Sequence, residues 1–198
     1  MRCPACQLAL HEHAPVCPHC GFTLLVAERY FGIPPQVKAD ITDLANVLSK
    51  KEKRDLQQLL RVKRLRFPQA RFAVVIDNVT PEVPLGSYAF WLFNKSGLAS
   101  AMQKAGDCHL MLLVFDVENH RYTGMVGYGL EPFVSEEILA SIIDAGLAAF
   151  QEGRFTDSIK AILHQADIEF TALCNTIPKT YGLTEEINPA VEDGAFAY

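Results

Sequence analysis

The sequence lacks most of what marks a phosphate-handling enzyme. It has no P-loop, no dinucleotide-type glycine fingerprint, no cysteine-phosphatase loop and no Asp-x-Asp pair, which removes the common motif-bearing nucleotide and phosphate chemistries. Its longest unbroken apolar run, LMLLVF at 110–115, is far shorter than the ~20 residues of a spanning helix, so no membrane span is expected. The opening MRCPACQLAL lacks the apolar stretch of a secretory signal. That predicts a cytoplasmic chain whose six cysteines are thiols or metal ligands, not disulfides. Nor does charge of one sign dominate: 18 Lys and Arg against 23 Asp and Glu give a net charge of −5. Nucleic acid and anionic membranes are therefore not indicated as partners, and protein is the partner class expected. No internal repeat is visible. What remains is an ordinary globular composition, 49% apolar and 21% charged over 198 residues, enough for one core with a small appended module.

That module is written in CPACQLALHEHAPVCPHCGF. Cys3 and Cys6 form one C-x2-C pair, and Cys17 and Cys20 form a second after a ten-residue spacer. Two residues between thiolates let both sulfurs approach one ion from a tight turn, and four soft thiolates suit a closed tetrahedral zinc site. Pro4 and Pro18 stiffen the two turns, and Gly21 stands where the backbone can need positive φ. A redox C-x-x-C is the weaker alternative, because no βαβ pattern surrounds it. Iron in a rubredoxin-like knuckle, or a ligand from His11, His13 or His19, stays open; the simplest reading leaves the three histidines as exposed loop residues. Residues 1–25 thus resemble a short zinc ribbon. A ribbon this small buries too little to fold alone, so the metal supplies its folding energy, on the order of 10 kcal/mol. Such zinc is structural. Arg2 is the only Lys or Arg before Arg29, which makes nucleic-acid binding by the ribbon unlikely.

Residues 26–40 are expected as a linker, broken at Gly32-Ile33-Pro34-Pro35. A helix then starts at Ser49, with Glu52 three residues on completing a capping box. Leu56, Leu59, Leu60 and Val62 give it an apolar stripe. Lys50, Lys51, Lys53, Arg54, Arg61, Lys63, Arg64 and Arg66 give it a basic, solvated outer face. FAVVIDNV (72–79) and HLMLLVFDV (109–117) read as buried strands, with a helix over 84–98 between them. ENH (118–120) turns the second strand into RYTGMVGY (121–128), a hairpin. Ser135 caps a helix over 136–151 that ends near Gly153. A last helix spans 157–176 and stops at Pro178, and 179–198 reads as an acidic flexible tail. Strands alternating with helices predict a three-layer α/β/α sandwich with a small mixed sheet, spanning 41–178.

Several of these segments carry a family resemblance. VGYGLEPFVSEE after the hairpin strand, FQEGRFTDSI (150–159) and ITDLANVLS (41–49) stand in the order found in the TPM domain family, whose signature is GyGLE before a helix opening with Leu-Thr-Asp. About two-thirds of the chain resembles that family. The resemblance implies an acidic cleft, with Asp43, Asp107 and Glu136 at the matching positions, and through a plant member it implies calcium and acid-phosphatase activity. This sequence departs from the pattern at Asp107-Cys108-His109 for Asp-Asn-Gly, at Glu136 for an aspartate, and at Thr123 for an arginine. Family members also usually carry an export signal.

Read from the residues alone, Asp43, Asp77, Asp107, Asp116 and Glu136 sit at expected element ends, where capping is the ordinary role of an acid and convergence on calcium the special one. The glycines of GMVGYGLEPFVSEE are expected to turn the hairpin strand sharply into the helix capped by Ser135, with Glu131 pairing locally. The function expected is a binding or assembly module whose acidic cleft can hold a divalent cation such as calcium. The alternative is a metal-assisted, phosphatase-like hydrolase of phosphate esters.

Overall fold

The computed structural model describes residues 2–11, 14–37, 40–98 and 109–180, with backbone only at 177–180. Among these residues six helices and four strands follow in the order α1 (Leu24–Phe31), β1 (Ile41–Asp43), α2 (Lys50–Arg66), β2 (Arg71–Asp77), α3 (Leu85–Lys95), β3 (Leu110–Asp116), β4 (Arg121–Val126), α4 (Glu136–Asp144), α5 (Leu147–Gln151) and α6 (Phe155–Thr180). The strands form one mixed sheet in the order β1-β2-β3-β4. The first three are parallel, and β4 returns antiparallel to β3. This is the expected α/β class.

Why β2 and β3 read as unbroken apolar runs is now plain: helices cover both sheet faces. On one face Phe72, Val74, Ile76, Met111, Leu113 and Phe115 pack against α2, α4, α5 and α6. On the other, Ala73, Val75, Leu110, Leu112 and Val114 pack against α1 and α3. The period-2 alternation of side chains assigns each residue to its layer. No helix among the described residues is long and apolar enough to cross a membrane.

The helix starts follow the sequence closely. Ser49 accepts from Glu52 N while Glu52 accepts from Ser49 N, a complete capping box. Thr156 at the start of α6 also donates to Glu52, at 2.8 Å. Ser135 caps α4 by accepting from Ile138 N.

Other details differ from expectation. The stretch expected as a linker contains α1, capped by Thr23 and ended at Gly32, where φ is +78°. Its Phe31 ring lies against Tyr88 and Trp91 of α3. On α2, Val62 is 48% exposed while Lys63 is buried. Lys63 and Arg66 both reach Asp167 of α6, at 2.8 and 2.6 Å, so part of the basic face is an interhelical ion cluster. The helix expected over 136–151 is broken into α4 and α5 at Gly146, where a Cβ would lie 2.7 Å from Ile162 and Ser158 of α6. Helix α6 continues past Pro178 to Thr180. The stretch expected as an acidic tail lies outside the described residues from 181 on.

The buried charge of the sheet is Asp116, fully enclosed at the end of β3. Arg121 binds it from across the hairpin through Nε at 2.9 Å and Nη2 at 2.6 Å. Asn119 donates to both its oxygens, and Val79 N to Oδ1. Arg121 also donates to the carbonyls of Pro81 and Val83 in the loop before α3.

The pair is asymmetric, because Asp116 is fully buried whereas the Arg121 side chain is 30% exposed. Arg121→Met should therefore cost about 3–5 kcal/mol in urea unfolding, leaving a carboxylate stranded in the interior. Asp116→Asn should cost less, because the guanidinium it strands can reach water.

A second expectation concerns acid. The Ser49 hydroxyl, with the Ser49 N–H and Thr156, lowers the Glu52 carboxyl from 4.5 to about 2. A carboxyl depressed on folding stabilises the fold above its unfolded value, and that contribution fades as pH falls from 4.5 towards 2. Glu52→Gln keeps the capping box, so stability measured across this window should become flatter with pH.

Candidate functional site

The two C-x2-C pairs build matching knuckles. Gln7 N donates to Cys3 O and Gly21 N to Cys17 O, each at 2.9 Å. The residue after the second cysteine of each pair has positive φ: +62° at Gln7 and +70° at Gly21. Glycine takes this conformation freely, whereas Gln7 adopts it under strain. Backbone bonds from Cys3 N to Leu8 O and from Cys17 N to Phe22 O close the two turns.

The knuckles bring Cys3, Cys6, Cys17 and Cys20 together, with all four sulfurs within 4.8 Å of one another, an arrangement that can hold a metal ion. Cys3 and Cys20 sulfurs are 3.6 Å apart, and Cys6 and Cys17 sulfurs 3.8 Å. A tetrahedron of sulfurs each about 2.3 Å from one ion has edges of about 3.8 Å, so the donor set fits a closed four-sulfur site. His11 and His19 are not in the cluster, and His13 lies outside the described residues.

The thiols do not ionise alike. Backbone N–H groups of Cys20 and His19 push Cys17 down to about 6. Cys20 receives the N–H of Phe22, which favours its thiolate, yet burial and the crowding of Cys6, Cys17 and Cys3 push it up to about 12. Four thiolates at this spacing repel one another unless a cation sits between them.

The module is docked, not dangling. Ser87 donates to Pro4 O at 3.3 Å, and Phe22 meets Phe90 edge-on at 5.8 Å. Gly86 makes the approach possible, because a Cβ there would lie 2.8 Å from Pro4 O. Arg2 reaches across to Glu136 at the start of α4, at 2.9 Å.

The carboxylates take other positions. Asp43, Asp77 and Asp116 end three adjacent parallel strands, and each is engaged by a protein donor. Asp43 accepts from Val47 N and Leu48 N, shaping the loop into α2. Asp77 accepts from Tyr88 OH at 2.5 Å and from Asn78 N. Burial first, then this bond to Asp77, raises the Tyr88 hydroxyl far above its usual range.

Glu136 stands at the opposite end of the sheet, because α4 starts after β4 has run back beside the beginning of β3. Asp43 and Glu136 are thus not brought together, and Asp107 lies outside the described residues. Among those residues the four cysteines are the only cluster suited to a metal.

The glycines of GMVGYGL lie where the chain turns from β4 towards α4, and they do more than turn it. None of Gly124, Gly127 and Gly129 has positive φ. Gly124 lies beneath Ile143 of α4, whose side chain a Cβ would strike, and Gly129 faces the His109 ring, 2.8 Å from where a Cβ would be. Gly124 and Gly129 serve close approach, and the expected turn towards α4 is made without positive φ, with Leu130 N and Glu131 N both donating to Gly127 O. Glu131 makes no side-chain hydrogen bond or ion pair among the described residues; only its N–H is engaged, by Gly127 O.

Two residues that sequence reasoning missed matter here. Gly86 was readable only as an odd glycine in an apolar helix, and Arg121 as the residue opposite Asp116 in a hairpin of that length.

If a metal organises the module, a chelator should strip amide-exchange protection from Cys3, Cys17 and Gly21 while β2 and β3 keep theirs. Gly86→Val should push the module off α3 with its metal content unchanged, which elemental analysis and loss of the Arg2–Glu136 contact by NMR would report.

The comparisons agree with this geometry. Residues 41–167 match the TPM domain. No curated protein matches the chain. Among solved structures, the N-terminal domain of a protein from P. gingivalis is similar at 23% identity and a TM-score of 0.52, over 67% of this chain and 83% of that one. The BA42 protein from Bizionia argentinensis is similar at 14% identity and a TM-score of 0.54, over 66% and 86%. Both likenesses concern the fold. The family match takes in the whole sheet, helices on both of its faces and the GYGLE corner, and the chain belongs to the TPM domain family, with a four-cysteine module docked ahead of the domain.

Proposed function

We propose that this chain is a binding or assembly module for protein partners in the cytoplasm, with the four cysteines holding one structural zinc. Zinc is favoured over iron because the setting asks for a closed, redox-silent tetrahedral staple, and reducing conditions keep the thiols available. A closed four-sulfur site offers no open coordination position, so the metal builds a surface and does no chemistry.

The observation that carries the reading is the engagement of Asp43, Asp77 and Asp116. The strand ends at which an open α/β sheet usually does its chemistry are occupied here by acids that hold loops: Asp43 on Val47 and Leu48, Asp77 on Tyr88, Asp116 on Arg121. Phosphoester hydrolysis requires an activated nucleophile or a metal cluster, and among the described residues the one cluster suited to a metal is the four cysteines, away from these strand ends. The hydrolase alternative rests on family likeness alone. A divalent cation such as calcium narrows to Asp43 with Asp107, since Glu136 is tied to Arg2 at the other end of the sheet.

Elemental analysis of the purified chain should find about one zinc per molecule. With Ca²⁺, Mg²⁺ or Mn²⁺ and a generic phosphate ester, no turnover above background is expected. Turnover that disappears in Asp43→Ala and Asp107→Ala would overturn the binding-only reading. A calcium-dependent rise in melting temperature that is lost in those variants would establish the cation site without catalysis.

A further inference from the structure

Strand β4 is an edge. The bond from Gly127 N to Leu110 O fixes the phase of the antiparallel ladder. Arg121, Thr123 and Met125 therefore turn their backbone groups towards β3, while Tyr122, Gly124 and Val126 turn N–H and C=O away from the sheet. No hydrogen bond reaches those outward backbone groups among the described residues. The usual protections of an edge are missing: RYTGMV contains no proline, no bulge interrupts its six-residue register, and no charged side chain lies along its outer half.

This edge forms the floor of a cleft of about 830 Å³. One wall is the cysteine module with α3, lined by apolar groups such as Leu10, Phe22 and Phe90; the other is α4. The α4 wall carries Glu136 and Asp144, with Glu131 at the corner, while among the described residues Arg2 is the only cation lining the cleft and is already bound to Glu136. That ion pair crosses from wall to wall with side chains 57% and 64% exposed, so it is a weak strap that opens at little cost.

We propose that the cleft receives an extended peptide segment of a partner protein, which joins β4 as an added antiparallel or parallel strand. The chemistry that fits is alternation: backbone groups pair with Tyr122, Gly124 and Val126, apolar side chains face the cysteine module, and basic side chains face the acids of α4. The inference rests on the binding-module reading and names the partner class and the surface. It also gives the docked module a role, since the module extends the α3 wall with Leu10 and Phe22.

The test uses the full-length metal-loaded chain and an acetylated, amidated peptide of about eight residues alternating valine and lysine. Amide NMR should show saturable binding with Kd below about 1 mM. Exchange protection should appear at Tyr122, Gly124 and Val126 but not change at Thr123 and Met125. A peptide of the same composition with its valines and lysines in separate blocks should bind at least about tenfold more weakly. N-methylation of alternate peptide amides should abolish binding in one phase and spare it in the other.

Val126→Pro removes an outward N–H and no ladder bond, and should weaken binding about tenfold. Ala140→Trp, which fills the cleft from α4, should do the same and guards against a folding defect in the first variant. The proposal is overturned if both N-methyl phases bind alike, if shifts fall only on α2 or another surface, or if the free chain is a dimer with these amides already protected. Failure at β4 with no phosphoester turnover sinks this inference and leaves the assembly reading standing. Asp43-dependent turnover sinks that reading whatever the peptide does.

Discussion

The buried carboxylate of Asp116 is the point on which the β3–β4 hairpin and the loop before α3 are built. Fully enclosed, it needs a counter-charge, and Arg121 supplies one from the directly opposed position of the hairpin. The pair locks the β3–β4 register, because a slip of one residue would leave a charge alone in the interior. The same guanidinium gathers the carbonyls of Pro81 and Val83 and so fixes the loop that launches α3. Helix α3 is in turn the platform for the cysteine module. One ion pair thus sets the edge strand and the position of the wall beside it.

The cysteine module solves a different problem. It has almost no core of its own, and its order comes from four sulfurs brought close together by two knuckles, of which only the one at Gln7 is strained. Its attachment to the domain is small but specific: the bare backbone of Gly86, the Ser87 hydroxyl and the Phe22–Phe90 contact. Glycines elsewhere work in the same way. Gly124, Gly129 and Gly146 each admit a neighbouring side chain, from Ile143, His109 and Ile162, so that helices and loops approach the sheet closely.

The acids illustrate how position decides role. Asp43, Asp77 and Asp116 share one end of the sheet, yet each is taken up by a local donor set that shapes a loop. Glu136, grouped with Asp43 by family likeness, is carried to the other end by the return of β4, where it meets Arg2 from the added module. An acid at a strand end is legible in sequence. Which donors reach it depends on chain segments far away along the sequence, and so does whether it faces a second acid.

Local rules were sufficient for much of this protein. The capping box at Ser49, the Ser135 cap, the two doubly buried strands, the hairpin turn and the paired cysteines were all legible, because each depends on residues within a few positions of one another. The α/β layering followed from strands that are apolar on both faces. Other features answer to partners remote in sequence. Lys63 is buried because Asp167 lies across from it, Gly146 between α4 and α5 lies where Ile162 and Ser158 of α6 leave no room for a Cβ, and α1 is a packed helix because Tyr88 and Trp91 accept Phe31. Sequence alone determined the spacing of the paired cysteines and most of the longer elements, whose signals are local. Only the tertiary structure decided that the module stands beside an open sheet edge, since that depends on how remote surfaces fit and not on local spacing.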